Sequence, residues 1–460
     1  MSDSITRSLS DSLHTIARQT MSRHSLPGLV AGLVMDGRLA WIHSSGVSDL
    51  GSGQQPDENT VFRCASITKT FTSTALLQLR DQGKLSLDDP LVIHLPEFAA
   101  AQPDAGLIEE VTLQRMLCHR SGLVSEAPLD YWETGNWPDT AALLASLSGV
   151  RVVIPQDSAF KYSNLAFALL GEVVARVSGT PYTDYVEQNI LAPLDMRSTG
   201  FQLSEDMRGR FTPGYDPVPY QDYPEQADHQ SLAGISAAGQ IYSCAADLAR
   251  WLAFHMAPEE HGEGILAARS VEEMQRIRYT DGEMRNGWAT PWMASRHGER
   301  VYLGHGGGLP GHRTAIFFSA RHGVGSIVLT NLGWQSAPEE LGPAILDRAI
   351  AELGDAHADD KQKPLSPPPG DWRPLLGLYR GFVDLKIEYV TGKLRLASPE
   401  GARSLHAPAE LEATDDPDVF MARGGRASGE PLIFHREASG RVAFFRVGGF
   451  RYDRLDGPEG

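Results

Sequence analysis

The stretch FRCASITKTFTSTALLQLRDQGKLSLDDPLVIHLPEF spans residues 62–98 and carries a clear helical pattern. Between Ile67 and Gln82, apolar residues recur at the three- and four-residue spacing of one helix face, and Gly83 follows as a suitable C-cap. The pattern predicts a helix over 67–82. Ser66 then stands at the helix N-terminus, where its backbone N–H can face a developing negative charge.

Ser66 and Lys69 are three residues apart, so their side chains lie on one face of this helix. A serine hydroxyl becomes a nucleophile when a neighbouring base takes its proton. Burial can lower a lysine pKa enough for the amine to act as that base. An S-x-x-K pattern alone is common by chance, and the alternative is a solvated serine and lysine on an ordinary helix.

Two later segments strengthen the catalytic interpretation: YSN at 162–164 within FKYSNLAFALLG, and HGG at 305–307 within LGHGGGLPGHRT. A tyrosine before an apolar helix is more often a buried ring with a hydrogen-bonded hydroxyl. The order of the three segments favours chemistry. A phenol acts as a base only where cations stabilise the phenolate, and Lys69 and His305 are the candidates for that field.

With these motifs the chain resembles the serine β-lactamase and penicillin-binding superfamily, in the branch of class C β-lactamases, D-aminopeptidases, DD-carboxypeptidase-like peptidases and related esterases. The resemblance covers roughly residues 20–350 and includes VTLQRMLCHRSGL, AAGQIYSCAADLARWL and GVGSIVLTNL. It implies that Ser66 is the nucleophile, Lys69 its proton acceptor and Tyr162 a second general base or acid. It also implies that Asn164 binds a substrate amide.

His305 departs from the family pattern, because lysine is usual at this position. HGG in place of KTG is shared with D-aminopeptidase-like and esterase-like members, and it argues against β-lactamase and transpeptidase activity. A neutral imidazole makes a free substrate carboxylate a poor anchor, and acidification to about pH 6 is expected to charge it. By the same resemblance, Gly306 and Gly307 allow a close approach to substrate and Gly308 supplies an oxyanion N–H.

The predicted fold class is α+β, with an antiparallel sheet flanked by helices and a helical subdomain, as in β-lactamases and transpeptidases. Residues 29–47 predict a hairpin that turns at Asp36-Gly37. Further predicted segments are strands over 300–304, 312–319 and 323–331, and helices over 110–118, 139–148, 164–178, 182–190, 245–256, 270–277 and 338–353.

A charged and then Pro-rich stretch at 354–372 has no apolar periodicity and indicates a linker. Short β-type runs separated by Gly, Asp and Pro turns follow it. We therefore expect a β-lactamase-like domain over 1–355, a linker over 356–370 and an all-β domain over 371–460. The spacing of the strands favours a barrel, and the resemblance predicts one of the lipocalin-like kind.

Charge and composition argue against several classes of protein. The net charge is −17 over 460 residues with no dense basic stretch, so nucleic-acid binding is not expected. No apolar run is long enough to span a membrane, and the N-terminus predicts an amphipathic helix without a secretory signal. We expect no membrane association and a cytoplasmic location. The cysteines show no zinc or disulfide spacing, and His305 and His312 lack a third metal ligand, so neither metal nor cofactor is expected.

The expected reaction is acyl transfer to water through an acyl-enzyme on Ser66. The leading prediction is hydrolysis of peptide or amide bonds in a small-molecule or peptide substrate, with bonds next to a D-residue as candidates. An esterase of this fold is the alternative, and a binding or sensing protein acylated without turnover is the third. HRSG at 119–122 is expected to fix a loop beneath the site. Trp288, Trp292 and Tyr220 are candidates for the cleft wall, the core or surface loops.

Overall fold

The computed structural model describes residues 5–219, 221–353, 367–381, 383–390, 392–399 and 408–455. The chain separates into two compact units, Met1–Leu353 and Gly354–Gly460. Residues 356–366 of the predicted linker lie outside the described residues, and so does Tyr220.

The α-helices of the first unit vary from single turns to helices of four or more turns. In chain order they are α1 (Arg7–Arg23), α2 (Thr68–Asp81), α3 (Leu91–His94), α4 (Leu113–Leu117), α5 (Tyr131–Thr134), α6 (Thr140–Ala145), α7 (Asn164–Ser178), α8 (Tyr182–Val186), α9 (Glu205–Arg208), α10 (Ser236–Gly239), α11 (Ala245–Met256), α12 (Pro258–His261), α13 (Ala268–Gln275) and α14 (Ala337–Leu353). The helix predicted over 110–118 is shorter than expected, because the Thr112 side chain caps its first turn by accepting from the Arg115 N–H.

The strands of this unit come from both ends of its sequence. They are β1 (Gly28–Met35), β2 (Arg38–Gly46), β3 (Phe62–Arg63), β4 (Tyr215–Asp216), β5 (Glu225–Gln226), β6 (Tyr242–Ser243), β7 (Tyr279–Thr280), β8 (Asn286–Trp288), β9 (Met293–His297), β10 (Arg300–Leu309), β11 (His312–Ser319) and β12 (Val324–Thr330). Within the described residues, eight of them form one sheet in the order β2-β1-β12-β11-β10-β9-β8-β7, and its neighbouring strands are antiparallel.

The predicted hairpin is confirmed. β1 and β2 pair in antiparallel register, with Met35 opposite Arg38. Asp36 and Gly37 between them have φ angles of 50° and 68°. A two-residue hairpin turn with positive φ at both positions suits the right-handed twist of the strands, which explains the Asp-Gly pair.

β10 extends five residues beyond the strand predicted over 300–304 and ends at Leu309. His305 to Gly308 pair with Ile316 to Arg313 on β11, so the HGGG segment is a strand and not a loop. Glycine has a low intrinsic preference for strands, so the sequence pattern did not predict this extension. The hydrogen-bonded ladder with β11 overrides that preference.

The sheet is covered by helices on both faces. Leu29 and Leu33 of β1 share a core with residues of α1 and α14, whereas Val30 and Val34 share a core with residues of α2 and α11. This division follows from the alternation of side chains along a strand. Helix α2 is buried from Thr68 to Leu79, so it is the central helix that fixes the position of Ser66.

The second unit has its own apolar core, which includes Tyr379, Phe420, Phe434 and Phe445. Its described strands are β13 (Gly377–Arg380), β14 (Asp384–Val390), β15 (Lys393–Ala397), β16 (Ala409–Ala413), β17 (Val419–Arg423), β18 (Pro431–Arg436), β19 (Val442–Val447) and β20 (Phe450–Arg454).

Each of these eight described strands pairs antiparallel with the next, and β13 pairs with β20, which closes an up-and-down barrel. This is the strand order of lipocalin-like barrels. The α+β fold with a C-terminal all-β barrel is thereby confirmed. Among the described helices, none combines the length and apolarity needed to cross a bilayer.

Candidate active site

Ser66 lies in a single 3-10 turn, Ala65–Ile67, that leads directly into α2. The turn is held on both sides. The Cys64 N–H donates to the Ile241 carbonyl at 2.8 Å, and the Thr68 hydroxyl donates to the Ala65 carbonyl at 2.6 Å. Ala65 has a φ of 48°, a region that residues with a Cβ seldom adopt. The backbone immediately before the nucleophile is therefore strained and fixed by its surroundings.

Lys69 is fully buried directly beneath Ser66. Its ammonium nitrogen Nζ lies 3.2 Å from the Ser66 Oγ, 2.8 Å from the Asn164 Oδ1 and 2.7 Å from the Ala238 carbonyl oxygen. Burial lowers the pKa of Lys69 to about 7, against a smaller raising effect of the Glu126 carboxylate. A large fraction of this amine is neutral at physiological pH, so it can accept the serine proton.

Tyr162 lies in the loop before α7 and lines the same cleft as Ser66. Nζ of Lys69 lies 4.8 Å from the centre of its ring. Burial raises the pKa of Tyr162 well above its usual value, and the smaller opposing effects come from Ser66 and Arg313. The predicted stabilisation of phenolate by Lys69 and His305 is therefore wrong. Tyr162 stays protonated and is placed to donate a proton.

Asn164 is the first residue of α7, and both ends of its amide are engaged. Its Oδ1 accepts from Lys69, and its Nδ2 donates to Glu126 Oε1 at 2.6 Å. The other carboxylate oxygen of Glu126 accepts from the Tyr131 hydroxyl at 2.6 Å. Asn164 was predicted as a substrate ligand. In the structure its amide connects Glu126 to Lys69 by hydrogen bonds. Sequence reasoning missed Glu126, because a single carboxylate in a loop has no distinguishing pattern.

His119 lies under the tyrosine, as expected of the HRSG turn at 119–122. Its ring is 4.3 Å from the ring of Tyr162, and its Nδ1 accepts from the Ser163 N–H at 3.1 Å. Burial holds the pKa of His119 well below its usual value, so the ring is neutral. The turn therefore positions the YSN segment and adds no charge beneath it.

His305 is buried on β10, and its Nδ1 donates to the Gly306 carbonyl at 2.7 Å. Nε2 is then the unprotonated nitrogen, and it has no hydrogen-bond partner among the described residues. Burial and the nearby Lys69 lower the pKa of His305 to about 3. The expectation that about pH 6 charges this imidazole is therefore wrong, and His305 is neutral throughout the physiological range.

The glycines of β10 face different surroundings. A Cβ on Gly307 would lie 2.1 Å from the Cys64 carbonyl oxygen, so this residue allows β10 to pack against the segment that carries Ser66. Gly306 and Gly308 line the cleft, whereas Gly307 is not among the residues that line it. The close approach predicted for Gly307 is thus an approach to the protein's own backbone.

A cleft of about 680 Å³ opens above these residues. Its described lining comprises Ser66, Tyr162, Asn164, Asn286, Gly287, Trp288, Met293, Ala294, Ser295, His297, Gly304, His305, Gly306, Gly308, Arg313, Phe317, Glu339 and Pro343. Trp288 belongs to this wall and stacks on Phe160, with ring centres 4.6 Å apart. Trp292 is fully buried in the core instead.

The three cysteines are buried. Within the described part of the chain, no group of three or more His, Cys, Asp or Glu residues is placed to hold a metal ion. A serine with a neutral lysine and a protonated tyrosine can transfer an acyl group.

This fold and the arrangement of Ser66, Lys69 and Tyr162 suit a protein of the serine β-lactamase class. The sequence profile of the family described as Beta-lactamase matches residues 13–349. The chain belongs to this family, whose members with the β-lactamase fold are serine hydrolases.

Similar proteins come from distant organisms. Beta-lactamase-like protein 2 of Dictyostelium discoideum is 26% identical over 344 residues, which cover 74% of this chain and 61% of that protein, so the chain spans about three fifths of its length. Penicillin-binding protein 4 of Amycolatopsis lactamdurans is 28% identical over 370 residues, 78% of this chain and 94% of that protein. The D-alanyl-D-alanine-carboxypeptidase/endopeptidase AmpH of Escherichia coli is 28% identical over 316 residues, 65% of this chain and 78% of that protein.

Two solved structures illustrate the likeness in fold. The octameric penicillin-binding protein homologue from Pyrococcus abyssi has a TM-score of 0.63 at 20% identity, and the match covers 96% of this chain and 99% of that one. A class C β-lactamase from Rhodobacter sphaeroides has a TM-score of 0.63 at 23% identity, covering 74% of this chain and 100% of that one. At these identities the likeness concerns the fold alone.

Proposed function

We propose that the protein hydrolyses peptide or amide bonds, including those next to a D-residue, through an acyl-enzyme on Ser66. The observation that carries the proposal is the placement of the Ser66 hydroxyl between a lysine with a pKa of about 7 and a protonated tyrosine. An amine leaves a tetrahedral intermediate only after its nitrogen gains a proton. A tyrosine that stays protonated is a suitable acid for that step.

In the proposed reaction, the proton of Ser66 reaches the departing amine through Lys69 and Tyr162. Ser66 Oγ attacks the carbonyl carbon while its proton moves to Lys69, and the N–H groups of Ser66 and Gly308 hold the oxyanion. Tyr162 then protonates the departing nitrogen, the C–N bond breaks, and Lys69 returns its proton to restore the tyrosine. In the second half, water attacks the acyl carbon and gives one proton to neutral Lys69. The bond between the acyl carbon and Ser66 Oγ then breaks, Lys69 returns this proton to Ser66 Oγ, and the carboxylic acid leaves.

Two relatives support the choice of amide substrates. The Escherichia coli relative is named as a carboxypeptidase and endopeptidase of D-alanyl-D-alanine bonds, and the Amycolatopsis relative as a penicillin-binding protein. His305 supports substrates without a free carboxylate, because a neutral imidazole offers no fixed cation to such a group. An esterase is the second candidate, since an alkoxide or phenolate leaving group has less need of the acid at Tyr162.

The test combines labelling with turnover. After treatment with a fluorophosphonate, mass spectrometry should place the adduct on Ser66, and Ser66→Ala should remove it. Hydrolysis of D-amino acid anilides supports the amidase, hydrolysis of p-nitrophenyl esters alone supports the esterase, and a stable adduct without turnover of either supports a sensor. Labelling that persists in Ser66→Ala contradicts all three.

A further inference from the structure

An ion pair lies inside the cleft next to the strand that carries the oxyanion donor. Arg313 of β11 and Glu339 at the start of α14 both line the cleft, and Nη2 of Arg313 is 2.5 Å from Oε1 of Glu339. Each side chain is about one third exposed, so the pair faces the space that substrate would occupy. Neither residue was singled out by the sequence motifs.

The two glycines that flank Gly307 make room for this pair. A Cβ on Gly308 would lie 2.5 Å from Nη1 of Arg313, and a Cβ on Gly306 would lie 2.8 Å from Oε1 of Glu339. Arg313 is the register partner of Gly308 across the ladder. The ion pair therefore lies directly against the two residues of β10 that face the cleft.

The hydrogen-bonding capacity of this ion pair is only partly satisfied, which is unusual for a pair whose role is structural. Nε of Arg313 and Oε2 of Glu339 are buried without hydrogen-bond partners among the described residues. Unsatisfied polar atoms offset much of what a partly buried ion pair contributes to stability.

The pair also decides the net charge of the cleft wall. Apart from histidines, Arg313 and Glu339 are the charged residues among the described lining, so their charges cancel. The field of Arg313 reaches the reacting groups, because it acts on the Tyr162 hydroxyl. An unpaired arginine here would attract a substrate carboxylate, and Glu339 removes that attraction.

We infer that Glu339 is a specificity residue because it neutralises the charge of Arg313. The cleft then prefers substrates that are uncharged on the β10–β11 side of the scissile bond. Substrates with a free carboxylate there are disfavoured. The inference rests on the proposed acyl-transfer function and names its substrate class: amides and esters whose leaving group is neutral. A carboxylate at this place meets an arginine whose charge is already neutralised, so no ion pair compensates for the loss of its hydration.

The experiment uses two thioesters of N-acetylalanine that share one scissile bond. One has mercaptoacetamide as leaving group and the other has mercaptoacetate, and the released thiol is measured identically for both. We expect the wild type to prefer the amide twin. Glu339→Gln should raise kcat/KM for the carboxylate twin relative to the amide twin by at least about tenfold.

Two further variants make the result decisive. Glu340→Gln removes the same charge from the neighbouring residue, which pairs with Arg23 and His24 instead, and it should leave the ratio unchanged. Arg313→Gln leaves the negative charge of Glu339 unopposed. The kcat/KM for the carboxylate twin relative to the amide twin should therefore fall below the wild-type value. This variant gives an answer even where Glu339→Gln fails to fold.

The outcomes separate the inference from the function on which it rests. Failure of the wild type to turn over either twin or to acquire a Ser66 adduct refutes the acyl-transfer function. Turnover of both twins with a ratio that is the same in wild type, Glu339→Gln and Arg313→Gln refutes the role of Glu339 and leaves the function standing.

Discussion

The amine of Lys69 sets the pH at which the nucleophile is activated. Burial lowers the pKa of this amine to about 7, and the negative charge of Glu126 opposes part of that decrease. Lys69 must be neutral to take the serine proton, so kcat/KM should fall as pH decreases below about 7.

Glu126→Gln tests this assignment, because it keeps the shape of the side chain and removes its charge. Without that charge the pKa of Lys69 decreases, so the acidic limb of the kcat/KM profile should move to lower pH. Glu133→Gln, at an exposed position in α5, serves as the control and should leave the limb in place. An unchanged limb in Glu126→Gln would show that Glu126 has only a structural role.

The buried amine also makes stability depend on pH. The pKa of Lys69 is about 7 in the folded chain and about 10.4 in an unfolded one, so between these values the unfolded state binds more protons. Stability therefore rises with pH through this window. The free energy of unfolding of Lys69→Met relative to wild type should decrease as pH rises from about 7 to 10. The exposed Lys84→Met is the control, and a difference that does not vary with pH contradicts the buried neutral amine.

Residue types at the site were predictable only where a spacing pattern marked them. Ser66, Lys69, Tyr162 and Asn164 belong to motifs, and the structure brings them together. Glu126 and the Arg313–Glu339 pair come from segments far apart in sequence, so their contacts depend on the tertiary fold. The pKa directions of Tyr162 and His305 depend on burial, which a motif does not show.

At the scale of elements, the packing of β10 against the start of α2 decides the geometry of the site. Thr314 on β11 donates to the Cys64 carbonyl at 3.2 Å, and Gly307 lies against the same carbonyl. Helix α2 and the β1–β2 hairpin were predictable from local patterns. The full length of β10 was not, because its glycines are ordered by pairing with β11.

Gly307→Ala should separate these elements. The new Cβ would lie 2.1 Å from the Cys64 carbonyl oxygen and 2.7 Å from the Thr314 hydroxyl, both in fixed positions. We expect a loss of about 1–3 kcal/mol in the free energy of unfolding and at least a tenfold fall in kcat, of the order caused by small misplacements of reacting groups. Gly282→Ala has open space around it and should change neither quantity. Wild-type kcat in Gly307→Ala would contradict the packing role.

At the scale of the whole molecule, the two units have separate apolar cores. The β-rich character of the second unit was predictable from its short alternating runs. Closure of its barrel was not predictable from local sequence, because the pairing of β13 with β20 joins residues more than 70 positions apart.

Separate cores imply that the first unit folds without the second. A chain ending at Leu353 should unfold in one cooperative transition and should still form the Ser66 adduct with a fluorophosphonate. Calorimetry and mass spectrometry test the two statements. A truncated chain that lacks a cooperative transition would show that the first unit depends on the second for its stability.

The ring of hydrogen bonds in the barrel limits the ways in which that unit can associate with other molecules. Strands at the border of an open sheet present unpaired N–H and C=O groups that can recruit a foreign strand, and such recruitment begins many amyloid and domain-swapped assemblies. The described barrel strands form a closed circuit in which both neighbours of every strand are occupied. Any recognition by this unit must therefore use side chains and loops, and the folded barrel is protected against templated fibril growth.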